Sequence, residues 1–253
     1  MHCSIGVTVG SESAVLAERA ARLAERLGLP LVALDAPDFK LQLVVTARRL
    51  ELREVGQQTG PVYVDFVGGR LASRRRGGLA RDPLVRAVGR KGTDWSVLDV
   101  TAGLGRDAFL LAWAGCRVTM VERSPVIAAL LEDGLARGLA DPDVAPVIRD
   151  RLNLVQADAR GYLAALPEAD RPDAVYIDPM FEPRAKTAAS KKEMRLCRLV
   201  AGDDPDAADL LVAARQVARY RVAVKRWLHA PPLGPAPDIQ YKGQSIRYDV
   251  YLT

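Results

Sequence analysis

The chain has 253 residues, of which 49% are apolar, so it can form one sizeable α/β domain with a small additional unit and is too apolar to be mainly disordered. Its net charge of +5 is modest, and no apolar run approaches the roughly 18 residues of a membrane span. The three cysteines lie far apart without CxxC spacing, which argues against a disulfide framework or a zinc site and leads us to expect a soluble, cytoplasmic protein that holds no metal.

Residues 1–72 predict a small N-terminal α+β domain. A strand-like segment, Ile5–Val9, precedes apolar residues at helical spacing in Ala14–Leu27, and Gly28 then marks a usual helix stop. Short antiparallel strands are predicted next, at Leu41–Val45, 50–55 and 62–66, with glycine turns after the last two.

The segment that follows is strongly basic. From Arg70 to Lys91 there are eight Lys or Arg residues and one acid, a local charge of +7. Such a block is what a polyanion contact requires, because lysine and arginine displace the counterions condensed on phosphates. A solvated, poorly ordered linker is the alternative. Within the block we predict RNA phosphate contacts at Arg74, Arg75 and Arg76.

Residues 73–253 alternate between strand and helix patterns, which predicts a parallel sheet with crossover helices. Strands are expected at 97–100, 117–121, Leu152–Gln156, Ala174–Ile177 and 221–224. Helices are expected at 107–114, Pro125–Gly138, 159–166 and 207–219, followed by an antiparallel pair at Ile239–Lys242 and Ile246–Leu252. An α/β, Rossmann-like sheet that ends in a β-hairpin is the arrangement of class I methyltransferases, whereas dinucleotide dehydrogenases usually continue with parallel units.

A glycine turn after the first strand of this domain indicates a cofactor site. Gly103 and Gly105 lack the Cβ that would obstruct a tight turn and a close approach to a ligand. The carboxylate of Asp99 could reach the amino-acid end of an adenosine-containing cofactor, and the neighbouring pair Arg106-Asp107 could position that zwitterionic end. Alone the glycines are a weak signal, because they also satisfy the relaxed dinucleotide pattern.

Acidic residues end the next two strands. Glu122 lies seventeen residues after Gly105, where a carboxylate suits two ribose hydroxyls. Asp158 lies at the depth expected for an adenine amino group. Each acid taken singly could be a helix N-cap or a solvated strand end, but acids at the ends of successive strands favour a cofactor site.

The sequence Asp178-Pro179-Met180-Phe181 follows a predicted strand and indicates chemistry at an exocyclic amine. Such an amine is a poor nucleophile, so a site must accept its protons and hold it near the methyl donor. Asp178 can accept one N–H, the Pro179 carbonyl another, and Phe181 can stack on an extruded base. These three are the candidate catalytic residues of a methyltransferase that uses S-adenosylmethionine. An ordinary Asp-Pro turn over a core phenylalanine is the alternative.

Further cations lie beside this turn. Residues 182–195 are rich in them, as is the end of the strand predicted at 221–224. Phosphate contact is the functional interpretation, and a solvated loop is the alternative. The residues predicted to contact RNA here are Lys186, Lys191, Lys192, Arg195, Lys225 and Arg226.

At these motifs the chain resembles the ribosomal RNA small subunit methyltransferase J family, from about Leu84 to the C-terminus. The segments that carry the resemblance are Gly103-Leu104-Gly105-Arg106-Asp107-Ala108-Phe109, Val121-Glu122-Arg123-Ser124-Pro125, Asp178-Pro179-Met180-Phe181 and Lys191-Lys192-Glu193-Met194-Arg195. Their combination is far more specific than the glycine turn alone. The chain departs from the family where Glu182 separates Phe181 from the usual proline, and where Asp158-Ala159 replaces a usual serine pair.

The resemblance implies transfer of a methyl group from S-adenosylmethionine to N2 of one guanosine in 16S ribosomal RNA. The partner would be that RNA or the small ribosomal subunit. It also implies cofactor contacts at Arg106, Asp107, Glu122, Arg123, Asp158, Ala159 and Asp178.

Other functions stay open on the sequence. An adenine-N6 methyltransferase acting on nucleic acid could use the same turn, and a catalytically silent RNA-binding or ribosome assembly factor could keep the same fold. A nicotinamide oxidoreductase fits only the relaxed glycine pattern.

Overall fold

A computed structural model describes residues 4–57, 60–79, 81–92, 94–179, 188–202 and 206–253, without the side chains of Arg70, Arg76 and 188–191. Among the described residues, no helix combines the length and apolar character needed to cross a membrane. They also contain no group of His, Cys, Asp and Glu suited to a metal ion.

The N-terminal unit is a three-stranded sheet with one helix. Its elements are β1 (Ile5–Val9), α1 (Ala14–Leu27), β2 (Leu41–Val45) and β3 (Leu50–Glu54). Strand β2 lies between the other two, parallel to β1 and antiparallel to β3. The Ser13 hydroxyl caps the N-terminus of α1, and Gly28 ends the helix with a φ of 61°. The helix and the β2–β3 pair match the sequence predictions.

The strand predicted at 62–66 is wrong. Only a single bridge joins Val62 to Leu52. Val64 and Phe66 are buried in the main core instead, and Phe66 stacks on Phe109 with ring centroids 4.9 Å apart. The alternation of apolar residues therefore reflects packing under the larger domain rather than pairing in a sheet.

The basic segment forms two short helices, α2 (Gly69–Arg76) and α3 (Pro83–Val88). Buried apolar residues fix both helices to the core, including Leu71 in α2 and Leu84 in α3. The alternative of a poorly ordered linker is therefore wrong for the residues that form these helices. The domain boundary predicted after residue 72 falls inside α2 and stays a prediction, since one apolar core runs through both units.

The larger unit is a seven-stranded sheet with helices on both faces. Its strand order is β6-β5-β4-β7-β8-β10-β9, in which the first five strands are parallel and β10 is antiparallel to both neighbours. The elements are β4 (Ser96–Asp99), α4 (Arg106–Trp113), β5 (Arg117–Glu122), α5 (Pro125–Gly138), α6 (Ala145–Arg151), β6 (Leu152–Gln156), α7 (Ala159–Ala165), β7 (Ala174–Ile177), α8 (Ala188–Ala201), α9 (Ala207–Val217), β8 (Arg221–Trp227), β9 (Ile239–Lys242) and β10 (Ile246–Leu252).

This architecture confirms the predicted parallel sheet with a terminal hairpin. The sequence did not predict α6 or α8, and β8 extends three residues beyond its predicted end, to Trp227. Successive residues of β4 point to opposite faces: Val97 lies in the core beneath α4 and α5, and Leu98 in the core beneath α7 and α9. The strand order reverses beside β4, so a crevice is expected at the carboxyl ends of β4, β5 and β7.

Candidate functional site

The glycine turn between β4 and α4 forms one wall of the crevice. Gly103 and Gly105 have φ angles of 53° and 70°, a region that disfavours residues with a Cβ. A Cβ on Gly105 would lie 2.6 Å from a Leu131 methyl carbon, so this glycine permits close packing. Counting the described residues alone, a Cβ on Gly103 would meet only the Thr101 carbonyl oxygen, at 3.9 Å. The space in front of Gly103 is therefore open to a ligand, as an adenosine-containing cofactor requires.

Glu122 holds this turn in place. Its Oε2 accepts the Gly103 N–H and its Oε1 accepts the Ser124 N–H, both at 2.8 Å. Only 6% of Glu122 is exposed. The predicted ribose contact stays a prediction, but the carboxylate has a structural role that the sequence did not reveal.

Asp158 caps helix α7. Its Oδ1 accepts the N–H groups of Arg160 and Gly161, each at 3.1 Å. This is the N-cap alternative considered from the sequence. The residue also lines the crevice together with Ala159, so the cap and the predicted adenine contact are compatible.

Two cavities meet at the turn after β7. The larger, about 330 Å³, extends between α4, α8 and β8. The smaller, about 60 Å³, extends toward Glu122 and Asp158. Both are lined by Thr101, Gly103, Asp178 and Pro179. Asp178 thus lies at the junction of the two cavities, and its backbone N–H donates to Thr101 Oγ1 at 2.7 Å.

A network of charged groups fills the inner wall of the larger cavity. Lys225 Nζ lies 2.7 Å from Asp107 Oδ2 and 2.7 Å from Asp178 Oδ2. The Tyr176 hydroxyl also donates to Asp107 Oδ2, at 2.7 Å. Burial alone would lower the pKa of Lys225, but the Asp107 and Asp178 carboxylates raise that pKa well above its ordinary value. Burial opposes ionisation of Asp107, yet the Lys225 charge and hydrogen bonds from Lys225 and Tyr176 lower its pKa.

Asp99 lines the same cavity but differs from Asp107 in the direction of its pKa shift. It is 2% exposed and accepts the Thr101 N–H. Burial raises the pKa of Asp99 to about 8, and the nearby Asp107 and Asp178 carboxylates act in the same direction. Below this pH its carboxyl group is mainly neutral and can donate a hydrogen bond into the cavity.

Helix α8 covers the larger cavity and is held by side-chain contacts with α4 and with the N-terminal unit. Its Glu193 accepts two hydrogen bonds from Arg106, at 2.6 and 2.7 Å. Its Arg195 forms a bidentate ion pair with Glu54 of β3, and Lys192 donates to the Gly60 carbonyl. Arg106 therefore pairs within the protein in this arrangement and also lines the cavity, and its predicted cofactor contact stays a prediction.

Ala201 at the end of α8 and Asp206 before α9 border the smaller cavity. Arg123 donates to the Ala201 carbonyl at 3.1 Å and lies 3.9 Å from Asp206, which also pairs with Arg160 at 3.2 Å. Arg123, predicted to contact the cofactor, thus lines its expected adenosine side.

Several cations predicted to contact RNA have partners inside the protein. Arg74 pairs with Asp82 at 2.9 Å and lies 3.7 Å from Asp107. The Arg75 guanidinium stacks 4.5 Å from the Trp113 ring centroid. Arg226 is buried and donates to the Pro231 carbonyl. The predictions for Phe181 and Lys186 lie outside the described residues, and those for Arg76 and Lys191 concern side chains that are not described.

Lys225 was predicted to follow the end of a strand, which is wrong, while its predicted RNA contact stays a prediction. It lies within β8 rather than after a strand, and it shares a face of the sheet with Ala223. Extending the strand pattern by two residues would have placed its side chain opposite α4, beside Asp107. Thr101, Tyr176 and Glu193 were missed because their partners are distant in the sequence.

The fold, the glycine turn and the paired cavities define a class I methyltransferase dependent on S-adenosylmethionine. A family model described as "Putative SAM-dependent methyltransferase" matches residues 22–253. A crystal structure of a SAM-dependent methyltransferase from Neisseria gonorrhoeae has 32% sequence identity and a TM-score of 0.75, covering 98% of this chain and 95% of that one. The cofactor predicted from the motifs is therefore confirmed.

Curated relatives identify the family. A protein from Thioalkalivibrio sulfidiphilus named ribosomal RNA small subunit methyltransferase J is 49% identical, with 98% of each chain covered. Relatives of the same name from Pseudomonas aeruginosa and Coxiella burnetii are 50% and 47% identical, covering 94% and 100% of this chain and 92% and 98% of theirs. The chain belongs to the ribosomal RNA small subunit methyltransferase J family. The predicted resemblance is confirmed, and it includes the N-terminal unit.

Proposed function

We propose that this enzyme methylates the exocyclic N2 amine of a guanosine in 16S ribosomal RNA. The names of its relatives support ribosomal RNA of the small subunit as the substrate. The observation that carries the choice of an exocyclic amine is the position of Asp178. Its carboxylate stands where the two cavities meet, ion-paired to Lys225 at 2.7 Å, beside a proline carbonyl that can accept a second N–H.

The described residues fit the cofactor along both cavities. Glu122, Arg123, Asp158 and Ala159 would border its adenosine, while Gly103, Arg106 and Asp107 would border its amino-acid end. When bound, S-adenosylmethionine supplies an electrophilic methyl group on a sulfonium. Asp99 lines the cavity on the amino-acid side, where its carboxyl group can donate to or accept from the zwitterion.

Asp178 and Pro179 would orient the amine of the substrate base. A carboxylate that accepts one amine N–H, with a carbonyl that accepts the other, places the nitrogen lone pair out of conjugation with the ring and toward the methyl group. Phe181 is proposed to stack on the extruded base, a contact worth about 1–3 kcal/mol in other nucleic-acid complexes.

Contact with RNA phosphates is proposed for the cations beside the cavities. Lys186, Lys191 and Arg76 keep this role as predictions. Lys192 and Arg195 would have to exchange their present partners for phosphates, because both now bind the N-terminal unit. RNA contacts would therefore compete with the docking of α8.

Methyl transfer from labelled cofactor tests the function directly. Free 16S ribosomal RNA and assembled small subunits serve as substrates, and the product nucleoside is identified by mass spectrometry. We expect N2-methylguanosine. N6-methyladenosine would contradict the proposed base and favour an adenine-N6 enzyme, and cofactor binding without transfer to either substrate would favour a silent RNA-binding factor.

The variant Asp178→Ala tests the site. It should slow single-turnover transfer by about 10²-fold or more, with RNA affinity nearly unchanged, because phosphate contacts supply most of that affinity. Asp143→Ala, which removes an exposed carboxylate outside both cavities, is the matched control. A wild-type rate for Asp178→Ala at saturating cofactor and RNA would contradict the assignment.

A further inference from the structure

Lys225 is the shared counter-ion of two carboxylates that approach it from different elements. Asp107 reaches it from the first turn of α4, and Asp178 from the turn after β7. The side chain of Lys225 is 24% exposed, and that of Asp107 is 14% exposed. An ammonium group has three donors in a flexible geometry, and two of them are used here on oxygens that would otherwise repel each other.

In the part of the chain that the structure describes, no other cation lies between these two carboxylates. Arg74 approaches Asp107 from the opposite side, through Oδ1 at 3.7 Å, and its Nε and Nη2 bond to Asp82. Among the described residues, the other titratable groups that face the ammonium from neighbouring elements carry no positive charge: Asp99 of β4, Tyr176 of β7 and Tyr248 of β10, which is paired in register with Lys225.

We propose that Lys225 is a positioning residue for methyl transfer, which holds the Asp178 carboxylate ionised and turned to accept the substrate amine. This inference rests on the proposed function. It replaces the earlier prediction that Lys225 contacts an RNA phosphate. A phosphate would have to displace two carboxylates from a partly buried ammonium, whereas the cations of α8 lie nearer to solvent.

The positive charge of Lys225 allows Asp107 and Asp178 to stay ionised beside each other. Removing it leaves two carboxylates facing one space, and like charges at close range cannot both stay ionised at little cost. The pair then takes up a proton at a higher pH than before. A protonated Asp178 is a weaker acceptor for the amine N–H, and without the Lys225 ion pair its carboxyl group is held less firmly at the junction.

The test uses Lys225→Gln, with Lys225→Arg as the conservative variant and Arg137→Gln as a control. Arg137 pairs with Asp133 on α5, away from both cavities. Single-turnover methylation of 16S ribosomal RNA is measured across pH at saturating cofactor. We expect Lys225→Gln to be slower by about 10²-fold near neutral pH, the scale of a small misplacement of reacting groups. Its acidic limb should move to higher pH, whereas Lys225→Arg should restore the wild-type profile and much of the rate.

A second measurement does not depend on turnover. The carboxylate pair in Lys225→Gln would have a pKa raised above that of the unfolded chain, so its unfolding temperature should fall as pH rises above the ordinary carboxyl range. The unaltered protein and Arg137→Gln should lack this extra pH dependence. If no RNA is methylated even by the unaltered enzyme, the proposed function fails while this measurement still tests the role of Lys225.

Two results would overturn the inference. One is a pH profile for Lys225→Gln that superimposes on that of the unaltered enzyme. The other is a weakened, less salt-dependent RNA affinity with normal single-turnover rate at saturation, since this would show that Lys225 binds phosphate.

Discussion

The two hydrogen bonds that Glu122 accepts lead to a prediction about the stability of the protein. Glu122 uses both carboxylate oxygens, one for the Gly103 N–H and one for the Ser124 N–H, each at 2.8 Å. An amide has only one oxygen, so Glu122→Gln can satisfy only one of these donors and turns an NH₂ group toward the other.

The magnitude follows from the two bonds. Losing one charge-assisted bond in a buried setting costs about 1.5–3 kcal/mol, and making the second bond to a neutral acceptor costs about 1 kcal/mol more. We expect the free energy of unfolding to fall by about 3 kcal/mol. For a chain of this size that corresponds to a fall in Tm of about 6–12 °C.

Thermal unfolding without cofactor is the assay, and Asp158→Asn is the matched control. Asp158 accepts both of its backbone N–H groups with the single atom Oδ1, and asparagine is as good an N-cap as aspartate. The same carboxylate-to-amide change should therefore leave the Tm almost unaltered at residue 158. If both variants had the same Tm as the unaltered protein, the structural role of Glu122 would be refuted.

Two further predictions concern Asp99 and helix α8. Because burial raises the pKa of Asp99 to about 8, the unaltered protein should lose stability as pH rises from the ordinary carboxyl range toward 8. The variant Asp99→Asn should lose less stability over the same range. Parallel curves of unfolding free energy against pH for the two proteins would contradict this prediction. Arg195→Glu should cost up to about 1 kcal/mol of stability, since the pair with Glu54 is partly exposed. Adding Glu54→Arg should restore that stability but not RNA affinity if Arg195 also binds phosphate; restoration of both would assign it to docking alone.

Periodicity and capping were sufficient to predict the elements with strong local signals. Helix α5 begins after the Ser124 cap, with a proline in its first turn, and both of its bounds were predicted. The parallel strands were found because each is a short apolar run. The basic helices α2 and α3 were missed, because their many charged residues obscure the pattern of the few leucines that pack into the core.

The sequence predicts that a site lies at the carboxyl ends of the parallel strands, but it does not predict the ion pairs within that site. Asp99, Glu122 and Asp178 all line the crevice, as expected from the order of parallel strands. Lys225 meets Asp107 across 118 positions in the sequence, and no local pattern specifies such a contact. The same holds for the pair of Arg106 with Glu193. Local charge density predicts phosphate contacts, which stay predictions, but it does not reveal the ion pairs that these cations form with acids of the same chain.

The packing of Val64 and Phe66 limits how this enzyme can be divided. A Cβ on Gly134 of α5 would lie 2.3 Å from a Val64 methyl carbon, and one on Gly105 would lie 3.2 Å from the Phe66 ring. The segment before α2 thus occupies space that two glycines of the catalytic unit leave open, one of them in the cofactor turn. A shortened chain that began after this segment would have a hole beneath that turn. Removing the N-terminal unit together with residues 62–66 would therefore leave both glycines without the side chains that pack against them.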